Sequence, residues 1–395
     1  MKRKWIGGVA LIAIVTVAAS MSSRGHPWRM LVGMVRGADA LAYEPPRLDV
    51  VLEPGPPQPT LSAAEAGVDP EVIELAERYA EPRNTDALVI GVNGHVVHQK
   101  FWGDLTLDSP MEASGFTPVL AALVLGTAHQ NGELRDLDAP LSLYLREWAD
   151  DPRGTITFRD LLTGNSNLAA PGARTWPRSL AAMYYAGDDL GAHLLQWPQA
   201  ERPNPAGSPP EVDADILSIA LGRALKSGSY AELLTERIWR PLGAGGYSVG
   251  IDGERSSAGH VRAGCCVRAR ISDWMRVGAL IANHGIFEGN QFSPPNYAQL
   301  MLTPTHKGSA RAVFMRAEGQ FAAHDVVWLA AEGKQRLWMV PSLKLVVLRV
   351  GREPPASEGW DEAMIPDSII RGTRGWQSGS TGDGSKVDPN RYAPH

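Results

Sequence analysis

Cysteine is scarce in this chain, and the short motifs that mark zinc sites are missing. Its 395 residues include 2 cysteines, Cys265 and Cys266, which are adjacent. Neighbouring cysteines rarely reach the Cα separation and torsion that a disulfide needs, so a bond between them is not expected. No CxxC, zinc-ribbon or HExxH pattern occurs. The sequence therefore predicts neither a structural nor a catalytic zinc site, and no cofactor.

Basic charge and nucleotide motifs are lacking as well. The formal net charge is −5, whereas nucleic-acid binders show a basic face, so no nucleic-acid partner is predicted. Gly243, Gly245 and Gly246 approach a dinucleotide fingerprint, but Ser248 occupies the position of its third glycine. The phosphate-binding GxxxxGK[ST] pattern is absent. With 44% hydrophobic residues, the chain has the composition of an ordinary folded protein.

The first twenty residues carry an export signal. Lys2, Arg3 and Lys4 precede an uncharged, mostly apolar run over residues 5–20. This layout is typical of a secretory signal peptide or a signal anchor, and the basic residues place the rest of the chain outside the cytoplasm. A spanning helix needs about 20 residues, so cleavage and retention both remain open. We expect a periplasmic protein or one anchored to the inner membrane by residues 5–20.

Proline-rich stretches, helix-start signals and turn signals divide the rest of the chain into segments. Residues 21–60 contain six prolines after position 44 and are interpreted as a Pro-rich connector. A helix is predicted after Asp69-Pro70, and two strand-like runs joined by Asn93-Gly94 predict a hairpin. Residues 61–372 form the predicted folded domain. Residues 373–395 are polar and rich in glycine and serine, which indicates a disordered tail.

The order of elements predicts an α+β fold. An apolar helix is expected over residues 118–131, followed by a mostly helical region to about residue 240. Residues 325–330, 335–340 and 343–349 are typical of consecutive antiparallel strands. Strands at both ends of the domain, with helices between them, favour one antiparallel sheet built from both ends of the chain.

Several segments in this order resemble the serine β-lactamase and penicillin-binding superfamily, in particular its class C-like esterases and 6-aminohexanoate-dimer hydrolases. The resemblance covers residues 61–372. The segments are the Asn-Gly hairpin, the long helix ending Gly132-Glu-Leu, Leu137-Asp-Ala-Pro-Leu-Ser-Leu-Tyr-Leu145, Ile156-Thr-Phe-Arg-Asp-Leu-Leu-Thr163, Ser229-Tyr-Ala-Glu-Leu-Leu234 and Arg237-Ile-Trp-Arg-Pro-Leu-Gly243.

The resemblance implies acyl transfer through a serine ester, but this sequence departs from the family at each catalytic position. The family places its nucleophilic serine at the start of the long helix and a lysine three residues later; these positions hold Gly115 and Pro118. The tyrosine loop of the family falls on Pro209-Pro210-Glu211. Its Lys-Thr-Gly strand is replaced by Glu332-Gly333-Lys334, and no Ser-x-x-Lys tetrapeptide occurs in the chain.

The sequence therefore predicts an exported protein of this fold that has lost acyl-enzyme chemistry and acts by binding. The expected ligand is a peptide, a cell-wall fragment, a small ester or amide, or a partner chain. Ser166, Asn167, Glu332 and Lys334 are candidate binding residues. For Ser166 the alternative interpretation, a hydroxyl that orders its own loop, is preferred.

A second hypothesis is a hydrolase with a relocated nucleophile, an esterase or amidase that uses Ser114. Against it, Thr117 stands where a lysine is needed, and capping of the helix N-terminus, by Ser114 or by Thr117 ahead of Pro118, is the preferred interpretation. Gly246-Tyr247-Ser248-Val249-Gly250 matches the GxSxG elbow, but a strand flanked by glycine turns is the preferred interpretation. Cys266 is a further candidate nucleophile, although its apolar setting favours a structural cysteine.

Overall fold

The computed structural model describes residues 46–170, 189–200, 209–252, 260–303, 311–312, 315–316 and 320–377. The predicted leader, residues 1–20, lies outside these ranges. So do residues 21–45 of the predicted connector and residues 378–395 of the predicted tail. None of the described helices combines the length and the apolar character that crossing a bilayer requires.

A seven-stranded antiparallel sheet forms the centre of the described structure, with strands in the order β3-β2-β13-β12-β11-β10-β9. A smaller sheet has the order β1-β5-β6-β4, and β7 and β8 form a hairpin. The strands are β1 (Arg47–Val50), β2 (Thr85–Val92), β3 (His95–Phe101), β4 (Pro110–Glu112), β5 (Tyr247–Gly250), β6 (Arg268–Arg270), β7 (Ile286–Phe287), β8 (Asn290–Gln291), β9 (Arg311–Ala312), β10 (Met315–Arg316), β11 (Val327–Ala331), β12 (Gln335–Val340) and β13 (Leu345–Gly351).

Helices cover both faces of the large sheet. They are α1 (Ala63–Ala66), α2 (Pro70–Ala80), α3 (Pro118–Gln130), α4 (Phe158–Thr163), α5 (Leu190–Leu195), α6 (Pro210–Ala224), α7 (Tyr230–Leu234), α8 (Ile271–Ala282), α9 (Pro295–Leu302) and α10 (Met364–Arg371). Because side chains alternate along a strand, Trp338 faces α2 and α10 with Ile73 and Ile369. Its neighbour Leu337 faces the other way, into the larger core with Val346.

The local sequence signals are confirmed. Asn93 and Gly94 both have positive φ, 50° and 81°, and connect β2 to β3 as the hairpin signal predicted. Asp69 caps α2 by accepting from the Glu71 amide. β11, β12 and β13 pair consecutively, and β13 also pairs with β2, so strands from both ends of the domain share one sheet. The α+β prediction is therefore correct.

Helix α3 passes through the middle of the larger core. Eleven of its 13 residues are buried, so the helix is apolar all round, as expected for a central helix. The observed range agrees with the predicted one, and Pro118 occupies the first helical position, where its missing N–H costs nothing. This helix carries the residues at its start into the contact between the helical region and the sheet.

Both ends of the folded body extend beyond the predicted boundaries. β1 lies inside the predicted connector and pairs with β5, and the Gly55 amide donates to the Gly243 carbonyl at 3.0 Å. An extended, proline-rich segment can pair with a strand edge, and β5 supplies that edge. At the other end, Trp376 in the predicted tail donates its indole N–H to the Ala322 carbonyl at 3.0 Å.

One carboxyl group on α10 is buried against the sheet. Asp367 is 5% exposed, and the Ala322 amide donates to its Oδ1 at 2.7 Å. Burial raises the pKa of Asp367 to about 6, although the Ala322 amide and Arg371 act in the opposite direction. The native state then binds a proton more tightly than the unfolded chain does. The stability gained from protonation is complete below about pH 4 and is lost as the pH rises through about 6.

Replacing this carboxyl with an amide should stabilise the protein at neutral pH. We expect Asp367→Asn to raise the free energy of unfolding at pH 7.5 by about 2 kcal/mol, because the amide carries no charge to desolvate. At pH 4 the gain should nearly vanish. Urea denaturation at the two pH values measures both, and Asp104→Asn, at an exposed position, is the control. An equal gain at both pH values would contradict the assignment.

Candidate functional site

The start of α3 lies against the end of the large sheet. A 3₁₀ turn, Ser114–Phe116, leads into the helix, and a second turn, Glu332–Lys334, connects β11 to β12. The Gln335 side-chain amide donates to the Glu112 carbonyl at 3.1 Å, which ties the two regions together. The structure therefore brings together the positions where the resemblance places the nucleophile, its base and the pocket strand.

Gly115 has no room for a side chain. A Cβ atom built on it would lie 1.8 Å from the Ala330 carbonyl oxygen and 2.9 Å from the Ala330 carbonyl carbon. Both distances are far below van der Waals contact, and the obstacle is the main chain of β11. The backbone of Gly115 is nevertheless exposed on its other side. Strand β11 thus occupies the space in which a side chain at this position would stand.

Thr117 and Pro118 hold the helix start in place. Thr117 Oγ1 donates to the Ala113 carbonyl at 3.3 Å and accepts from the Val267 amide at 3.1 Å. The expectation that Ser114 or Thr117 caps the helix is wrong, because neither side chain accepts from a first-turn amide. Thr117 is already in helical conformation, and its hydroxyl is used to bind a neighbouring loop instead.

Ser114 contacts a carboxylate that is itself paired. Its hydroxyl donates to Glu112 Oε1 at 3.4 Å, a long hydrogen bond. The other oxygen of Glu112 forms an ion pair with Arg47. Arg47 also donates to Ser248 Oγ at 3.2 Å and to the Cys266 carbonyl at 2.9 Å. Ser248 lies within strand β5, so the preferred interpretation of the Gly246–Gly250 motif as a strand is confirmed.

A buried arginine holds the turn at Glu332–Lys334. Arg349 donates to the carbonyls of Gly333 and Lys334 at 2.8 and 2.7 Å, and to Thr85 Oγ1 at 2.9 Å. Burial lowers the pKa of Arg349 to about 10, which leaves the guanidinium charged at neutral pH. Lys334 directs its Nζ towards Glu353, 3.8 Å away. Sequence analysis missed Arg349, although an arginine in an otherwise apolar strand signals an internal role.

Two of the three residues on which the tyrosine loop of the family falls are prolines. Pro209 precedes α6 and Pro210 is its first residue, so neither can move a proton. The Ser166 hydroxyl donates to Asp213 Oδ1 of α6 at 2.5 Å and accepts from the Leu168 amide at 3.3 Å. Ser166 is 1% exposed. These contacts agree with the alternative interpretation of Ser166 as a hydroxyl that orders its loop; Asn167 follows it with φ of 55°.

A loop over residues 264–267 contacts both α6 and the start of α3 through hydrogen bonds. The Gly264 amide donates to Oδ1 of the fully buried Asp215 at 3.0 Å. Between that contact and Val267, Cys265 and Cys266 form a disulfide with a Cα separation of 3.7 Å. The expectation of no bond is therefore wrong, and so is the idea of a reactive thiol at Cys266. The bond forms at a Cα separation shorter than disulfides usually show, and Cys266 has φ of 76°.

The described structure contains a cleft of about 510 Å³ at the opposite end of the large sheet. It lies where β2 turns into β3 and β12 turns into β13, and its lining includes His95, His284, Glu288 and Lys344. This cleft is separate from the start of α3. Within the described ranges, no group of three or more His, Cys, Asp or Glu residues is placed to hold a metal ion.

Comparison with known proteins identifies the family. The family model described as Beta-lactamase matches residues 73–271, which is half of the chain. The chain belongs to the Beta-lactamase family. No curated protein matches it by sequence.

Solved structures show the same fold at low sequence identity. A protein from Bacillus anthracis, provisionally assigned as a 6-aminohexanoate-dimer hydrolase, superposes with a TM-score of 0.61 at 17% identity, covering 79% of this chain and 87% of that one. A family VIII carboxylesterase superposes with a TM-score of 0.58 at 16% identity, covering 77% of this chain and 98% of that one. A penicillin-binding protein homolog from Caulobacter crescentus superposes with a TM-score of 0.55 at 14% identity, covering 77% of this chain and 96% of that one.

A methyl group at position 115 should destabilise the whole domain. We expect Gly115→Ala to lower the free energy of unfolding by about 3 kcal/mol, because β11 must move away from the helix start. Urea denaturation measures the change. Gly222→Ala in α6 is the matched control, since its Cβ would meet nothing closer than 3.9 Å and should be neutral or slightly stabilising. Equal stability of the two variants would disprove the close contact.

Proposed function

We propose that this member of the Beta-lactamase family does not form an acyl-enzyme and acts by binding a ligand or partner outside the cytoplasm. The observation that carries the proposal is the Ala330 carbonyl oxygen, 1.8 Å from where a Cβ of residue 115 would stand. A nucleophile cannot be placed there without displacing β11. The proposed loss of acyl-enzyme formation therefore concerns the space available at position 115 as well as the side chains of the site.

The remaining catalytic positions support the same conclusion. Acyl transfer by a serine enzyme needs a base beside the hydroxyl and a group that moves the proton onward. Pro118 is buried at the first position of α3, and Pro209 is buried before α6. Neither carries a titratable group, so these positions supply packing where the resemblance implies proton transfer.

The exposed mouth of this region is polar and charged, which suits binding. The Glu112 side chain is 45% exposed and lies beside Arg47, which is 22% exposed. Glu332 and the half-buried Lys334 come from the neighbouring turn. Groups of both signs beside exposed main chain at Gly115 are suited to a zwitterionic peptide or a peptide-bearing cell-wall fragment. Charge pairing would orient such a ligand without any covalent step.

The alternative function is hydrolysis with Ser114 as nucleophile. The observation in its favour is the 3.4 Å contact from the hydroxyl to Glu112, the only acidic group that hydrogen-bonds it in the described structure. That carboxylate is neutralised by Arg47, and a carboxylate is a weaker base than the neutral amine that the family is implied to use. The geometry therefore favours a binding role.

Covalent labelling separates the two functions. The full chain is incubated with a fluorophosphonate and with a fluorescent penicillin, and labelling is read on a denaturing gel. We expect no labelling and no turnover of nitrocefin or p-nitrophenyl esters, because the candidate hydroxyl of Ser114 contacts only a carboxylate that is paired with Arg47 within the described residues. Labelling that disappears in Ser114→Ala would establish the hydrolase and reject the binding proposal. A catalytically competent β-lactamase serves as the positive control for the probes.

Sedimentation with purified peptidoglycan sacculi tests the cell-wall ligand. We expect the wild-type chain to pellet, and Arg47→Gln combined with Glu112→Gln to weaken binding roughly tenfold, because a ligand seated on this pair would lose both charge contacts. Arg237→Gln with Glu133→Gln is the matched control. That pair has similar exposure, 19% and 39%, and lies beyond the far end of α3. Equal loss in both double variants, or no pelleting of the wild type, would exclude this ligand at the site.

A further inference from the structure

The disulfide between adjacent cysteines lies in a loop that is anchored on both sides. Before it, the Gly264 amide donates to Asp215 at 3.0 Å. After it, the Val267 amide donates to Thr117 Oγ1 at 3.1 Å, and the Val267 carbonyl accepts from the Ala113 amide at 3.4 Å. Any change in the conformation of the two cysteines is therefore transmitted to the residues that start α3.

This disulfide does not stabilise the fold by the usual route. A cross-link stabilises chiefly by closing a loop in the unfolded chain, and its effect grows with the length of that loop. Cys265 and Cys266 are separated by 1 position, so the bond encloses no intervening residue. Its effect is confined to the local backbone. The pair thus needs an explanation other than global stabilisation.

The local effect is on the conformation of Cys266. Its φ is 76°, in the left-handed region that residues with a side chain rarely adopt. The disulfide closes a small ring that includes the peptide bond between the two cysteines, which restricts the dihedral angles on either side of it. Once the sulfurs are separated, Cys266 can return to the extended or right-handed region. The Cys266 carbonyl, which accepts from Arg47, would turn with it.

The two cysteines are partly exposed to solvent. Cys265 and Cys266 are both half-buried, whereas Gly264 and Val267 on either side are buried. These are the only two cysteines in the chain, so no other residue of the protein can take over either sulfur. An external dithiol is therefore the partner that this chemistry requires.

We propose that Cys265 and Cys266 form a redox-active pair, reduced by a dithiol and reoxidised by a disulfide, whose state sets the geometry of the loop at the start of α3. A thiolate of the dithiol attacks one sulfur of the pair, and the other cysteine leaves as a thiolate that takes up a proton. The second thiolate of the reductant then breaks the mixed disulfide and becomes a disulfide itself. Two electrons and two protons pass to the pair. This inference is independent of whether the protein has lost acyl transfer.

Thiol counting tests the bond itself. Full-chain protein purified without reductant is denatured and treated with DTNB before and after dithiothreitol. We expect no reactive thiol before reduction and two per chain after it, with a monomer on a non-reducing gel. Two thiols before reduction that oxidant cannot remove, or a dimer that reductant dissolves, would overturn the proposal.

Hydrogen exchange read by NMR tests the consequence. We expect reduction to speed exchange of the Val267 amide at least tenfold, because its acceptor, Thr117 Oγ1, precedes α3 and stays in place while the backbone of the loop is released. The Leu348 amide in β13 should not change. In the double variant Cys265→Ser and Cys266→Ser, the Val267 amide should exchange as fast as in the reduced wild type, and adding reductant should not change that rate. If reduction leaves Val267 unchanged, or alters it equally in the double variant, the pair does not control this loop.

Discussion

The contact between Gly115 and the main chain of Ala330 determines the geometry of the whole region. Because only hydrogen stands on the α-carbon of residue 115, β11 approaches the helix start at main-chain distance. Strand β11 is fixed in turn by β12, whose first residue pairs with Ala331, and Gln335 donates to Glu112 on the helix side. Movement of any one of these groups requires movement of the others. The site is therefore a packed junction, and its side-chain identities follow from that packing.

Two internal polar anchors keep the junction in place. Arg349 fixes the turn at Glu332–Lys334 by donating to its carbonyls, which would otherwise be buried without donors. Asp215 fixes the loop at Gly264 from the opposite side. Both anchors use charged groups with negligible exposure, so their removal would leave buried polar atoms unsatisfied. The order of the region depends on them as much as on apolar packing.

Local patterns predicted the elements of the fold because each has a nearby cause. Asn93-Gly94 forms its hairpin, and Pro118 begins its helix, from backbone preferences that neighbouring residues determine. The contacts across the site join residues distant in the chain, such as Arg47 with Glu112, and no periodicity signals them. The Cys265–Cys266 bond was missed for a different reason, since the usual range of Cα separations was applied to a pair that is bonded at 3.7 Å.

The residues at the positions where the family resemblance places catalytic groups contribute to local packing here, and this is the physical basis of the binding proposal. Active sites keep open space and polar groups that the fold does not need, which usually costs stability. Here Pro118 and Pro209 lie at the starts of α3 and α6, and the Ser166 hydroxyl donates a hydrogen bond to Asp213. A serine side chain at position 115 would first require β11 to move, because the Ala330 carbonyl oxygen occupies the space of its Cβ atom. The junction at the start of α3 is therefore closed by main-chain packing, and the partly exposed pair Arg47 and Glu112 lies at its outer edge, where the binding proposal places the ligand.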